Sequence, residues 1–509
     1  MLRRTLLISG LLALAWALPA GAQTQTLMPG VTYERAVQFT SHGPVALHVV
    51  VGPRPTGLYA LRPVLSNETI AGTERVTAMQ KRLSAGATMV GVNGDFFNLA
   101  TGRPSGVLLR DGIVDSPPYG DRSSIGLAAD GTLDVRRIEF FGTWRGLGQR
   151  RAINDLNQLP GPNGVSLFTS SYGAATPARA GAVAAVIAPF PAVTPNTDLS
   201  GPVTQLASGS VPIVPGTAVL LARGTAAQKL TEELPVGTSV TSRIIFRPDW
   251  TGITQAVGGG PVLVRERKPV FRALEAFSAD QLVPRTPRTA VGQLADGRIL
   301  FVATDGRQPG YSVGMTNFEL AQTLVRLGAV TGSAFDAGGS TTLAFDGTLL
   351  NRPSDPRGER DVATSLQLMY YGVYAPAVEP VVSPNGDGVA ESQKLAYKVV
   401  RPSTVNVTLS APGGVVAYSE TGPRTPATYP VAFPPAALDP LAPPIPLAEG
   451  TWRLDVTATD DQGQTSTTRQ TFAVNNTLGA VRLSASRLVA RLGGTGRVQT
   501  GVASPGPRA

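Results

Sequence analysis

The chain is expected to be α+β: a mixed-sheet domain with few helices over residues 31–374, followed by an all-β sandwich over residues 385–477. Three observations point there. From Val31 to Tyr374, short apolar runs alternate with turn signals, and only two segments carry helical periodicity. Residues 375–384 form a Pro-containing linker where the character of the chain changes. Beyond it, Val405-Asn406-Val407-Thr408-Leu409 and Trp452-Arg453-Leu454-Asp455-Val456 alternate with a period of two, without a helical stretch.

Taken in order, residues 1–22 read as a secretory signal. Arg3 and Arg4 precede a short apolar run, and Ala20-Gly21-Ala22 is a small-x-small cleavage pattern. The first helix is expected from about Thr73 to Leu83, with Val76, Met79 and Leu83 on one face. The second starts at Thr316-Asn317-Phe318-Glu319, a capping-box spacing, carries Leu320, Leu324 and Leu327 on one stripe, and stops at Gly328. Each helix leads to a short strand, then to a Gly loop with a polar residue at the strand end: Val92-Asn93-Gly94-Asp95 and Phe335-Asp336-Ala337-Gly338-Gly339. Each loop is followed by an apolar run with an Asp-Gly turn, Asp111-Gly112 and Asp346-Gly347. Two copies of one helix–strand–loop unit, facing a single cleft, are therefore expected. After the linker, regular short strands with Pro-rich connections fit a sandwich of immunoglobulin type. Residues 478–509 form a basic tail, expected to be disordered: from Val481 onward there are five arginines and no acid.

The 509 residues carry 44 basic and 35 acidic side chains, a net charge of +9, and no cysteine. Disulfides, thiolate metal sites and cysteine nucleophiles are thereby excluded. The basic tail suits an anionic envelope polymer as partner, or is simply solvated. With an export signal, nucleic acid is not expected as a partner, and no later segment is apolar enough to span a bilayer. A secreted, periplasmic or envelope-associated location follows as an expectation.

The stretch from Phe335 to Thr342 is the most informative. A carboxylate at the end of a strand, followed by glycines and hydroxyls, lies where open α/β folds collect ligands, although a plain turn uses the same residues. Gly258, Gly259 and Gly260 could offer successive N–H groups to an anion, or mark a bulge. Pro287-Arg288-Thr289 and Asp305-Gly306-Arg307 place acid and guanidinium groups at strand ends, and arginine forks match phosphate or carboxylate. The charged loop with Asn351, Glu359 and Arg360 could overhang the same cleft. The only histidines, His42 and His48, precede all these motifs and are expected in core or edge roles.

The ordered series Asn93 to Phe97, Val257 to Pro261, Pro287 to Gly292, Asp305 to Arg307, Gly314 to Thr316, Asp336 to Ser340, then Asn351 and Glu359-Arg360 resembles the phosphodiester glycosidase family. The resemblance covers roughly residues 80 to 372. It implies hydrolysis of a sugar-1-phosphodiester by an exported enzyme, with a glycan phosphodiester as substrate. The module opening at Ser383-Pro384-Asn385-Gly386-Asp387-Gly388 is similar to the Ig-like module of flagellar hook capping proteins.

With no suitable histidine, carboxylates would do the acid–base work, as in most glycosidases. Asp336 and Asp305 are the expected pair, with Asp95 and Glu359 in reserve. Arg288, Arg307 and Arg360 would hold the phosphate, assisted by the amides of Gly258, Gly259 and Gly260. Asn93, Thr289, Ser340 and Asn351 would bind sugar hydroxyls, with Gly338 and Gly339 giving close approach. No cofactor is implied, though a divalent cation stays open; the calcium-like start at Ser383 has Lys394 at its twelfth position, where such loops use Glu. The family's loop is Asp-Gly-Gly-Gly-Ser, and Ala337 replaces the first glycine here. Were that position to need a positive φ, Ala337 would be strained there by about 1 kcal/mol. A non-catalytic, glycan-binding envelope protein is the alternative.

Overall fold

A computed structural model describes residues 23–384, 388, 390–435, 447–476, 480–483 and 500–503. The expected signal sequence, most of the basic tail and part of the calcium-like segment lie outside the described residues. Within the tail, Ala480–Leu483 pairs antiparallel with Thr500–Ala503.

The architecture is mostly strand, with α-helices of four to ten residues. The two expected helices are Val76–Leu83 and Asn317–Arg326. Thr316 and Glu319 close the second one's capping box reciprocally, satisfying backbone donors that would otherwise be orphaned. Two more, Thr225–Glu233 and Ala279–Leu282, were not foreseen.

An eight-stranded antiparallel sheet forms the backbone of the first domain. Its centre runs Gly43–Gly52, Ile299–Thr304, Arg288–Leu294, Ala329–Ala334, Val262–Arg265. A five-stranded sheet centred on Thr88–Asn93 packs against it, through Val90, Val92, Leu366 and Leu368 on one side and Val291, Phe301 and Ala303 on the other. The opposite face of the eight-stranded sheet is covered by the helix Asn317–Arg326, whose Leu320, Ala321 and Leu324 meet Ala290, Leu300 and Val302. A third sheet contains Leu108–Arg110, Ile253–Gly258 and Ser123–Ala128. A second eight-stranded sheet, drawn from residues 139–247, has its own core around Trp144, Phe246 and Leu220. Its pair Asp155–Leu156 and Val165–Phe168 is parallel, while the other ladders of this domain are antiparallel.

The expected pair of units is present in spatial form. Each helix feeds a central strand, Thr88–Asn93 or Ala329–Ala334, and each loop is followed by a hairpin. Both hairpins turn on Asp-Gly with φ positive at both residues (51° and 80° for Asp111-Gly112, 43° and 84° for Asp346-Gly347), the geometry that matches strand twist. The second unit's strand Leu343–Phe345 pairs with the first unit's Thr88–Asn93, so the units interlock.

The C-terminal module is a sandwich-like pair of ladders. A five-stranded sheet built on Ser403–Ser410, Gly450–Asp460 and Thr465–Val474 faces the pair Leu395–Val399 and Ala427–Val431 across Trp452, Phe433, Phe472 and Tyr397. Part of the expected linker, Val381–Val382, joins this sheet as a parallel edge strand. The module docks directly on the first domain. Lys398 Nζ donates to the Ala87 carbonyl (3.2 Å) and to Asp346 Oδ1 (3.3 Å), and the Arg401 guanidinium lies 4.4 Å from the centre of the Tyr371 ring.

Candidate functional site

Three sheets end at one place. The strand Thr88–Asn93 stops at Gly94-Asp95, Ala329–Ala334 stops at Phe335-Asp336, and Ile253–Gly258 runs into Gly259-Gly260. Asn93 stitches the first two. Its Nδ2 donates to the Asp336 carbonyl (2.9 Å), and its Oδ1 accepts from Thr289 Oγ1 (2.7 Å) and from Thr342 N (3.1 Å). Asp336 N in turn donates to the Gly94 carbonyl at 3.1 Å. The two Asp-bearing loops are thus held edge to edge.

Asp95 and Asp336 share the cleft these loops form. Asp95 is buried, accepting hydrogen bonds from Phe96 N (2.8 Å) and Gly106 N (2.5 Å). Burial pushes its pKa up to about 7, the Gly106 N–H and Arg122 oppose the rise, and the charge of Asp336 adds to it. Asp336 is partly exposed and its pKa is also raised, chiefly by desolvation, against the pull of the Ser340 hydroxyl, the Ala337 N–H, Arg360 and Arg122. Two carboxyls with raised proton affinity in one cleft are the arrangement from which acid and base roles separate.

Cations ring the pair. A Cβ on Gly338 would stand 3.0 Å from both terminal nitrogens of Arg307, and one on Gly339 would stand 2.3 Å from Arg360 Nη2. The glycines therefore exist to let guanidinium groups lie flat on the loop. Arg307 itself has φ of 58°, a left-handed conformation that a side chain this large pays for by about 1 kcal/mol. Its guanidinium has no hydrogen-bond or ion-pair partner among the described residues. Arg360 is steered by Asp355 Oδ2 (2.8 Å). Arg122 completes the ring: its Nε donates to the Ala276 carbonyl (3.0 Å), and its guanidinium lies against Phe277 (4.3 Å) and Phe96 (5.1 Å).

Sequence reasoning missed Arg122 and Phe277. The only sequence signal for Arg122 is its place just before the strand Ser123–Ala128, which pairs with Ile253–Gly258. Nothing local marks Phe277.

Other expected site residues are spent inside the protein. Asp305 is fully buried, bonded to His48 Nε2 (2.9 Å), Tyr311 Oη (2.8 Å), Asn351 Nδ2 (3.0 Å) and Arg352 N (3.0 Å). Burial raises its pKa, but the bonds from His48, Tyr311 and Asn351 outweigh this and hold it below the usual carboxylate value. It is an anchor within the protein, and the carboxylate on which the charge of Asp336 acts in the cleft is that of Asp95, not its own. His48 has the expected core role. Glu359 is turned onto the first helix, where it accepts from Thr77 N (3.0 Å) and Thr77 Oγ1 (2.5 Å), capping a helix whose Arg75 supplies no side-chain cap.

Arg288 does not grip a ligand either. It is buried, and its donors go to the carbonyls of Met315 (3.1 Å), Gln281 (2.7 Å), Leu282 (3.2 Å) and Pro284 (2.8 Å). Burial brings its pKa down to about 10. We expect Arg288→Met to lower stability by roughly 3 kcal/mol, because four carbonyls lose their donor together. A melting curve matching the wild type would refute this clamp role.

Asn93, Thr289 and Asn351 have their polar atoms committed to protein partners. Asn351 accepts from Leu343 N (2.8 Å) and donates to Asp305 Oδ1. Ser340 is buried beside Arg360 Nη1 (3.5 Å) and bonds Asp336. Gly258 N donates to the Val107 carbonyl and Gly260 N to the Ala334 carbonyl, so the expected run of free amides does not form. The real demand at Gly258 is space: a Cβ would sit 2.4 Å from Asp95 Oδ2. Ala337 has φ of −118°, ordinary extended backbone, and the positive φ falls on Gly338 (67°), so the substitution carries no strain.

Residues 181–369 match the family model of phosphodiester glycosidases, which bears out the resemblance over that range. Asp336, Arg307 and Arg360 lie inside it, while Asp95 and Arg122 precede it. The prophage-derived protein YomE of Bacillus subtilis is 30% identical over 119 residues, covering 23% of this chain and 18% of its own length. A hypothetical protein from Synechocystis superposes with a TM-score of 0.57 at 25% identity, over 69% of this chain and 64% of that one. A putative exported protein from Burkholderia pseudomallei gives 0.52 at 24% identity, over 64% and 74%. The chain thus spans 18% of YomE and 64% of the Synechocystis protein, less than two thirds of either.

Proposed function

We propose that the chain is an exported glycosidase that hydrolyses a sugar-1-phosphodiester in envelope or exopolysaccharide material. What carries the reading is the pairing of Asp95 and Asp336 in one cleft ringed by Arg122, Arg307 and Arg360. Breaking the bond between the anomeric carbon and the phosphate oxygen builds positive charge on the sugar and negative charge on the departing phosphate. Asp336, the more exposed carboxylate, faces the first charge. Arg307 and Arg360 face the second. Asp95, protonated up to about neutral pH, offers the leaving oxygen a proton, help that a phosphate needs less than an alcohol would. Water gives its oxygen and one hydrogen to the sugar and its other proton to the ionised Asp336, and the phosphate leaves as a monoester. Export rests on residues 1–22, and the assignment of the C-terminal module as Ig-like rests on its strand pattern.

Ala337 was the one feature favouring glycan binding without turnover, and its unstrained backbone removes that reason. The test is a panel of sugar-1-phosphodiesters incubated with the full chain, with and without a chelator. Free sugar and a phosphomonoester should accumulate from at least one member. No release from any of them would overturn the proposal.

A further inference from the structure

A second pocket, built on the anchor Asp305, is not used by this chemistry. It has a volume of about 440 Å³ and is lined by Tyr33, Arg35, His48, Tyr311, Asn351 and Arg352 among others. Behind it runs a fixed polar array: Tyr33 Oη bonds His48 Nδ1 (2.8 Å), His48 Nε2 bonds Asp305 Oδ2, and Tyr311 Oη donates to the same carboxylate oxygen. The array holds both tyrosine rings in place without help from a ligand.

Two guanidinium groups share the ring of Tyr311. Arg352 lies 5.1 Å and Arg35 lies 5.9 Å from its centre, and Arg35 Nη2 reaches the Tyr311 hydroxyl at 3.4 Å. Neither guanidinium has a carboxylate partner among the described residues. The lining contains no acid, and the buried Asp305 behind it already accepts from His48, Tyr311, Asn351 and Arg352 N. Two positive charges against one negative leave this place with a net +1. Paired forks over an aromatic ring, beside an amide and two leucines, Leu349 and Leu350, match a sugar carrying an oxyanion.

We propose that this pocket is a binding subsite for an acidic sugar, its carboxylate or phosphate group gripped by Arg35 and Arg352. The subsite stands independently of any turnover at Asp336. The test is equilibrium binding to the full chain of three probes: a galacturonic acid trisaccharide, glucose 6-phosphate and neutral maltotriose. One or both acidic probes should bind, and which of them does identifies carboxylate or phosphate as the source. Maltotriose should bind at least 10-fold more weakly. The double variant Arg35→Ala, Arg352→Ala should lose at least 10-fold in affinity with an unchanged melting curve, since both side chains are exposed. Arg352→Gln alone should lose several-fold, which covers the case of a poorly folding double variant. Asp336→Asn should bind as the wild type does. Equal binding of maltotriose, no binding of either acid, or acid binding lost in Asp336→Asn and kept in the arginine variants would overturn the proposal.

Discussion

Asp336→Asn should cut release of sugar from a sugar-1-phosphodiester by roughly 10³-fold while leaving the fold intact, the scale on which a positioned acid–base group acts. The substitution is close to isosteric. An Asn oxygen can still accept from Ala337 N, which meets Oδ1 at 2.8 Å, and the main-chain bond from Asp336 N to Gly94 is untouched. What disappears is the negative charge facing the sugar. Initial rates and a melting curve read the two consequences separately. Turnover within a few-fold of the wild type would remove Asp336 from the mechanism.

The next largest effect is expected at Asp95, as a dependence on pH. Its pKa is raised on folding to about 7, from about 3.9 in an unfolded chain. The native state then holds the proton more tightly than the unfolded state does. That advantage is complete below pH ~4 and is lost as pH climbs through about 7. Relative to Asp95→Asn, the wild type should therefore lose stability between pH 4 and pH 8, by up to ~4 kcal/mol. Sugar release by the wild type should also fall above pH ~7, where the proton is gone, and Asp95→Asn should lack that alkaline limb. Melting curves for the two proteins that stay parallel across this range would refute the assignment.

The loop around Asp336 was legible because its glycines and carboxylate are contiguous, and contiguity is what a sequence displays. The capping box at Thr316 and the two Asp-Gly hairpins were legible for the same reason. Asp305 and Arg288 were misplaced because a charged residue at the end of a strand looks alike whether it meets solvent or core. Only the tertiary partners, His48 and Tyr311 for one and the carbonyls of residues 281–284 for the other, decide the matter. Arg122 was invisible because its setting is made of rings from Phe96 and Phe277, more than 150 residues apart in the chain. At Ala337 the condition for strain is not met: the positive φ lies one residue later, on Gly338.

The ammonium group of Lys398 touches a carbonyl of the first unit and a carboxylate of the second. The C-terminal module is in that sense a keystone rather than a pendant. A chain cut at the linker would bare Val373, whose side chain joins the C-terminal core, strip Tyr374 of its main-chain pairing with Lys398, and delete a positive charge that the two halves hold in common. The boundary seen in composition is therefore not a seam along which the protein divides into independent parts.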